Sequence, residues 1–226
     1  MESLSDLEVI TFDCYGTLID WETGIRASVK QALENLGLTQ SEEAKIFDLY
    51  EEEEKKIEVK SYQPYRRVQA EALRRASRRI GKKIPDQSIE ILAEQLPNWL
   101  PFPDTNPALQ RLAARYKLGI LSNVDNDLLA GTLRNLVVTF DFLITAERVR
   151  SYKPAQKHWL EARKVIGDRG WIHVAASLYH DIEPASELGI KSVWVNRKHS
   201  REHGEYQRRI LKEVDSLTRL ADWLAP

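Results

Sequence analysis

Four polar positions in this chain are poorly explained by packing, because each stands directly after a hydrophobic run or ahead of a helix. Asp13 closes VITFD, and Gly16 behind it permits a tight turn that the Thr17 hydroxyl can cap or hydrogen-bond. A carboxylate there either caps backbone amides or serves as a nucleophile. Ser122 and Asn123 end a second run, LGILSN; the plain alternative is a capping pair, with Asn126 and Asp127 close behind. Lys153 precedes Pro154 in SYKPAQKHW, and Pro154 suits the first position of a helix. A lone lysine is ordinarily a surface charge. Asp181, in SLYHDIEPASELGI, precedes a helix that it could stabilise simply by its charge. Each signal is modest alone.

The elements that must position these residues are legible from hydrophobic patterning. Leu7 to Phe12, Lys117 to Leu121, Phe140 to Thr145, Trp171 to Ala176 and Lys191 to Val195 are almost continuously apolar, as strands buried on both faces of a parallel sheet are. Between the later runs, Pro107 to Tyr116, Gln156 to Ile166 and Glu183 to Leu188 have helical spacing. Strands alternating with helices predict a doubly wound, Rossmann-like α/β core. Ligands in such a sheet bind at the carboxyl ends of the strands, where these polar residues stand. The interval 21–99 breaks the rhythm, holds no convincing strand, and predicts a helical insertion. The expected division is a core domain over 1–20 and 100–226 and a helical domain over 21–99, with Leu96 to Pro107, carrying four prolines, as the return linker. The acidic run Glu51 to Glu54, followed by Lys55 and Lys56, reads as a solvated helix face with charge pairs.

Composition narrows the function classes. A chain of 226 residues can bury a core large enough to stand without disulfide or metal. Its 33 basic and 34 acidic residues give a net charge of −1, which provides no reason to expect a nucleic acid or an anionic membrane as partner. The single cysteine, Cys14, excludes an internal disulfide, and strand alternation turns it away from Asp13. MESLSDLEVITFD lacks the basic start and long apolar stretch of a secretion signal, and no segment approaches the roughly 20 apolar residues of a membrane span. The expectation is a soluble, cytoplasmic protein.

Asp after the first strand, Ser after the second, Lys-Pro, and a late Asp, in that order, resemble the four-motif signature of the haloacid dehalogenase superfamily. The resemblance runs from Leu7 to about Arg197, and the helical insertion corresponds to that superfamily's cap. Most members are magnesium-dependent phosphatases with a second Asp two residues after the nucleophile. Here that position is Tyr15, whose phenol, with a pKa of about 10, cannot act as that acid at neutral pH. The usual leading Asp of the fourth motif is Ala176, leaving few oxygen ligands for a hard cation. DCYGTLIDW is similar instead to the type II 2-haloacid dehalogenase branch.

That branch implies a hydrolase converting a short 2-haloalkanoic acid to the 2-hydroxy acid and halide through an ester on Asp13, with no metal or other cofactor. By resemblance Lys153 compensates the carboxylates, Thr17, Ser122 and Asn123 position Asp13 and substrate, and Asp181 activates water. The substrate is a small anion, and the resemblance allows a homodimer. Ala176, Leu178 and Trp159 depart from the branch pattern, and the halide-cradling arginine of the cap is missing, its place falling near Tyr50. Substrate and halide contacts are assigned to Arg66, Tyr15 and Trp159. Arg66 lies in SYQPYRRV, and its alternative is a solvated arginine on a helix that also carries Arg74, Arg75, Arg78 and Arg79. His158 and His180 are expected behind the site or on the surface. A magnesium-dependent phosphatase of the same superfamily and a catalytically silent binding relative are the competing readings.

Overall fold

The computed structural model describes residues 5–200 and 210–226. Its described residues form one six-stranded, wholly parallel sheet. The strands are β1 (Leu7–Phe12), β2 (Lys117–Ser122), β3 (Phe142–Thr145), β4 (Gly170–Ala175), β5 (Lys191–Val195) and β6 (Ile210–Val214), in the spatial order β3-β2-β1-β4-β5-β6. Ten α-helices accompany them: α1 (Trp21–Leu33), α2 (Gln40–Glu58), α3 (Tyr65–Arg79), α4 (Asp86–Gln95), α5 (Thr105–Ala113), α6 (Asn126–Thr132), α7 (Ala146–Val149), α8 (Lys157–Ile166), α9 (Glu183–Glu187) and α10 (Leu217–Leu224). This is the expected Rossmann-like α/β fold. The chain order of the sheet reverses between β1 and β4, so the switch point, where open sheets bind ligands, lies between those strands. No helix among the described residues is long and apolar enough to cross a membrane.

The chain separates into two compact units. The first comprises Met1–Asp20, Pro101–Asn123 and Asn135–Pro226, and holds the sheet. One apolar cluster joins Val9, Leu121 and Ile144 of the sheet to Trp159, Ala162 and Ile166 of α8 and Ala185 of α9. Elsewhere α5 packs against α10, tied by Arg111 on Asp222 at 2.7 Å and the Tyr116 hydroxyl donating to the Leu224 carbonyl. β6 has no counterpart among the expected strands. Its sequence, ILKEV, carries a lysine and a glutamate because an edge strand exposes part of its length to solvent. Pro154 does not open a helix. The Lys153–Pro154 peptide is cis and α8 begins three residues later, at Lys157.

The second unit comprises Trp21–Leu100 and Val124–Arg134, and is wholly helical. In it α2 packs on α3, and α4 packs on both α1 and α3. Thr39 and Glu42 form a reciprocal capping box at the start of α2. The acidic run makes charge pairs: Lys56 reaches Glu52 at 2.6 Å and Glu53 at 3.0 Å, and Arg79 contacts both glutamates. Glu53, however, is buried rather than solvated. Gly24 on α1 is required by close packing, since a Cβ there would overlap the Trp99 indole, whose Nε1 donates to Ser28 Oγ.

Candidate active site

Asp13 leaves the carboxyl end of β1 and is anchored through its backbone N–H, which donates to the Val174 carbonyl of β4. The chain then turns through Gly16, whose φ of +92° is left-handed territory open to glycine at little cost. Leu18 and Ile19 both donate back to the Cys14 carbonyl, closing the turn. The fold places Thr17 so that its hydroxyl donates to Asp13 Oδ2 at 2.8 Å and accepts from the Ala176 N–H at 2.9 Å. One hydroxyl thus ties the loop after β1 to the end of β4.

Lys153 arrives from the loop before α8. Its Nζ donates to Asp13 Oδ1 at 2.8 Å, to Asp181 Oδ1 at 2.6 Å and to the Leu121 carbonyl at 3.0 Å. An ammonium has three donors, and all three are used within the protein. The Lys153 and Asp181 side chains are each 1% exposed, whereas Asp13 keeps 12%. Of the two carboxylates, Asp13 is the one a solute can approach. Asp181 sits in a single π-helical turn, Leu178–Ile182, after β4, and its Oδ2 is buried with no hydrogen-bond partner.

Two carboxylates sharing one ammonium leave a net negative charge out of water. Burial pushes Asp13 above the ordinary carboxylate value and the Asp181 charge adds to this, against the pull of Lys153. Burial would also raise Asp181, but Lys153 and the hydrogen bond from His173 outweigh it and hold that carboxyl well below the usual range. Burial disfavours the Lys153 ammonium, yet the two carboxylates prevail and raise its pKa. Asp13 is therefore the more basic carboxylate of the pair.

The other expected residues are placed as follows. The Asn123 amide makes a reciprocal pair with the Lys153 backbone, accepting from its N–H at 2.7 Å and donating to its carbonyl at 3.0 Å. Asn123 thus fixes the lysine's loop. Ser122 is buried with its Oγ unpartnered. Tyr15 lies in the turn after Asp13 and pairs with Ile19 in an isolated bridge. Trp159 is fully buried in the apolar cluster, edge-on to His173 with centroids 6.2 Å apart, a place for packing rather than for touching a ligand. His158 is buried with Nε2 on the Ser122 carbonyl; desolvation, with the Lys153 charge, lowers its pKa to about 3 and keeps it neutral. Cys14 is buried, and burial beside Asp13 pushes its thiol up, so it is inert. His180 bonds Ser177.

Arg66 belongs to the helical unit, where two carboxylates occupy it. Its Nε contacts Asp125 at 3.2 Å and its NH2 grips both oxygens of Asp127 at 2.6 Å. Asp125, itself buried, also accepts the backbone N–H groups of Tyr65 and Arg66 at the start of α3. One guanidinium against two carboxylates makes this three-residue cluster net negative, so Arg66 is not a spare cation. Near the place expected for the absent arginine, the buried Tyr50 and Tyr65 hydroxyls both donate to Glu54 Oε1. Sequence reasoning missed His173, a buried polar residue in the middle of β4 whose Nε2 lies 3.1 Å from Asp181 Oδ1. The available signal was a histidine breaking an otherwise apolar strand.

A family model described as haloacid dehalogenase-like hydrolase matches residues 7–189. The chain belongs to the haloacid dehalogenase-like hydrolases. Among its relatives in this family, an (S)-2-haloacid dehalogenase of Pseudomonas putida is 27% identical over 230 residues, covering 98% of this chain and 99% of that protein. A haloacetate dehalogenase of Moraxella sp. (strain B) is 26% identical over 203 residues, covering 86% and 88%. The solved L-2-haloacid dehalogenase of Xanthobacter autotrophicus shares the fold, with a TM-score of 0.78 at 20% identity, covering 96% of this chain and 98% of that one. The matched span includes Asp13, Ser122, Lys153 and Asp181, which the parallel sheet gathers beside its switch point.

The fit of a divalent cation can be judged from the donors. Both Oδ1 atoms are turned onto the Lys153 ammonium, and the described residues include no group of three or more His, Cys, Asp or Glu side chains able to hold a metal. Hard cations take about six oxygen ligands. Of the four oxygens of Asp13 and Asp181, Oδ2 of Asp181 alone has no partner, so these side chains offer a cation a single uncommitted carboxylate oxygen.

Proposed function

We propose that this hydrolase is a 2-haloacid dehalogenase with Asp13 as nucleophile and the helical unit as its cap. The observation that carries the proposal is the reachable Asp13 carboxylate, held on one oxygen by Lys153 and on the other by Thr17. Two fixed oxygens set the plane of a nucleophile whose basicity burial raises. Tyr15 and Ala176, where the superfamily's phosphatases carry acids, support displacement at carbon, since phosphoryl transfer relies on strong cationic neutralisation of several oxygens. The whole-length similarity to two haloacid-acting enzymes supports the same assignment.

In the first step an Asp13 oxygen attacks the halogen-bearing carbon from behind. The new C–O bond forms as the carbon–halogen bond breaks, and halide leaves with the bonding pair. In the second, water adds to the Asp13 carboxyl carbon and gives its proton to Asp181. Lys153 and the backbone N–H groups after Asp13 stabilise the oxyanion. Collapse expels the 2-hydroxy acid, whose alkoxide takes back the proton held by Asp181, and Asp13, carrying one oxygen from water, returns to the carboxylate by releasing the other water proton to solvent.

The test is a single turnover in H₂¹⁸O with chloro- and bromoacetate and 2-halopropionates, beside a panel of phosphate esters. Label should enter the Asp13 carboxyl first, and Asp13→Asn should release no halide while remaining folded. Label confined to product removes the ester mechanism, and phosphate release without halide release replaces the dehalogenase with a phosphatase.

A further inference from the structure

His173 is fully buried in β4, in register beside Thr11 of β1, and the sheet joins the two side chains. Trp171 Nε1 donates to Thr11 Oγ1 at 2.7 Å, and Thr11 Oγ1 lies 2.9 Å from His173 Nδ1. On its other side His173 Nε2 meets Asp181 Oδ1 at 3.1 Å. A carboxylate can only accept, so Nε2 carries the proton. In the neutral ring Nδ1 is then the acceptor of a hydrogen bond from the Thr11 hydroxyl, for which the Ile172 carbonyl at 3.4 Å is the longer alternative. The Trp171 donor occupies the Thr11 oxygen, and Trp159 closes the ring's flank edge-on at 80°. Every polar atom of this chain has a partner until it reaches Asp181, where Oδ1 is gripped twice and Oδ2 not at all.

This asymmetry has a chemical consequence. Lys153 alone cannot fix the rotation of the Asp181 carboxylate, because a single contact leaves the group free to swing and the lysine is shared with Asp13. A second donor, from a rigid central strand, removes that freedom. We infer that His173 is a positioning residue that holds Asp181 Oδ1, so that Oδ2 alone receives the proton of the ester-hydrolysing water. The inference rests on the dehalogenase reading and deepens it. It predicts a defect confined to the second half-reaction, since Asp13 does not touch His173.

The experiment compares wild type, His173→Leu and His173→Gln by rapid-quench halide release and by mass spectrometry of the Asp13 ester. Glutamine keeps an N–H donor near Nε2, and leucine has none. Both variants should release the first halide within about 3-fold of the wild-type rate. Ester hydrolysis should slow by roughly 10-fold or more in His173→Leu, the scale of a hydrogen bond to a charged group, and recover most of the loss in His173→Gln. Equal ester lifetimes in wild type and His173→Leu would overturn the inference, as would equal slowing of both half-reactions. Should His173→Leu fail to fold, Thr11→Val replaces it. Loss of the hydroxyl should change the His173 ring ¹⁵N shifts and lengthen the ester lifetime, and no change in either would overturn the role. A wild-type enzyme that frees no halide from any 2-haloacid would overturn the dehalogenase reading itself, and is recognised before any variant is compared.

Discussion

Lys153→Met tests the electrostatics on which the site depends. The substitution keeps an unbranched side chain one atom shorter and removes a buried cation hydrogen-bonded to two carboxylates. Both Oδ1 atoms lie within 2.8 Å of the lost Nζ. Two like charges at roughly 5 Å repel by about 3 kcal/mol at an effective dielectric constant of about 20, equivalent to about two pH units. One carboxylate should therefore hold a proton to higher pH, with Asp13, already the more basic, the first to take it. A protonated Asp13 cannot displace halide, so the acid limb of the first-turnover burst should move up by about two pH units, with a loss approaching about 100-fold at pH values below the wild-type limb. Stability should drop by about 3 to 5 kcal/mol at neutral pH, as when a buried ion pair loses one partner. The folded-state pKa of these groups would then exceed the unfolded value, so their stabilising contribution is present at low pH and lost as pH rises through the folded value. Acidification should accordingly return part of the loss. Quench-flow halide assays across pH, with urea unfolding at two pH values, read both effects. An acid limb that stays where it is in wild type would refute the reasoning.

Asp181→Asn should release one halide per enzyme and stall as the ester. Because the Asp181 charge contributes to raising Asp13, the acid limb of that burst should move down; steady turnover, or a limb moved up, would show the water base to be elsewhere. Dehalogenation should persist after exhaustive EDTA treatment, and recovery of a lost activity on adding Mg²⁺ would redirect the assignment to phosphoryl chemistry. If Arg66 anchors α3 through Asp125 and Asp127, Arg66→Ala should lower the melting temperature while changing kcat/KM for haloacids by less than about 3-fold. A loss of roughly 10-fold or more, already present in Arg66→Lys, would restore Arg66 as an anion clamp. Gly24→Ala should cost about 1 to 3 kcal/mol through overlap with Trp99, read by unfolding and tryptophan fluorescence, and an unchanged midpoint would show that the indole has room to move.

Local features were legible from residue order: five strands announced by apolar runs, a helical interval announced by its period, and polar residues at strand ends. β6 escaped because an edge strand half in water need not be apolar. Convergence belongs to the tertiary structure. Asp13 and Lys153 are 140 positions apart, and no local pattern states that all three lysine donors would be used inside the protein. Arg66 read as a spare cation because its carboxylates, Asp125 and Asp127, come from about 60 positions away. Trp159 read as a ligand contact by resemblance, yet α8 turns that face into the core. His173 was passed over for the complementary reason. A histidine inside an apolar strand gains its meaning only when parallel register sets Thr11 on one side of its ring and the turn after β4 folds Asp181 back onto the other. Residue types and periodicity specify what chemistry is available and which elements form. The direction of each side chain and its charge partner depend on packing between distant segments, so the tertiary structure decides which of those residues act together.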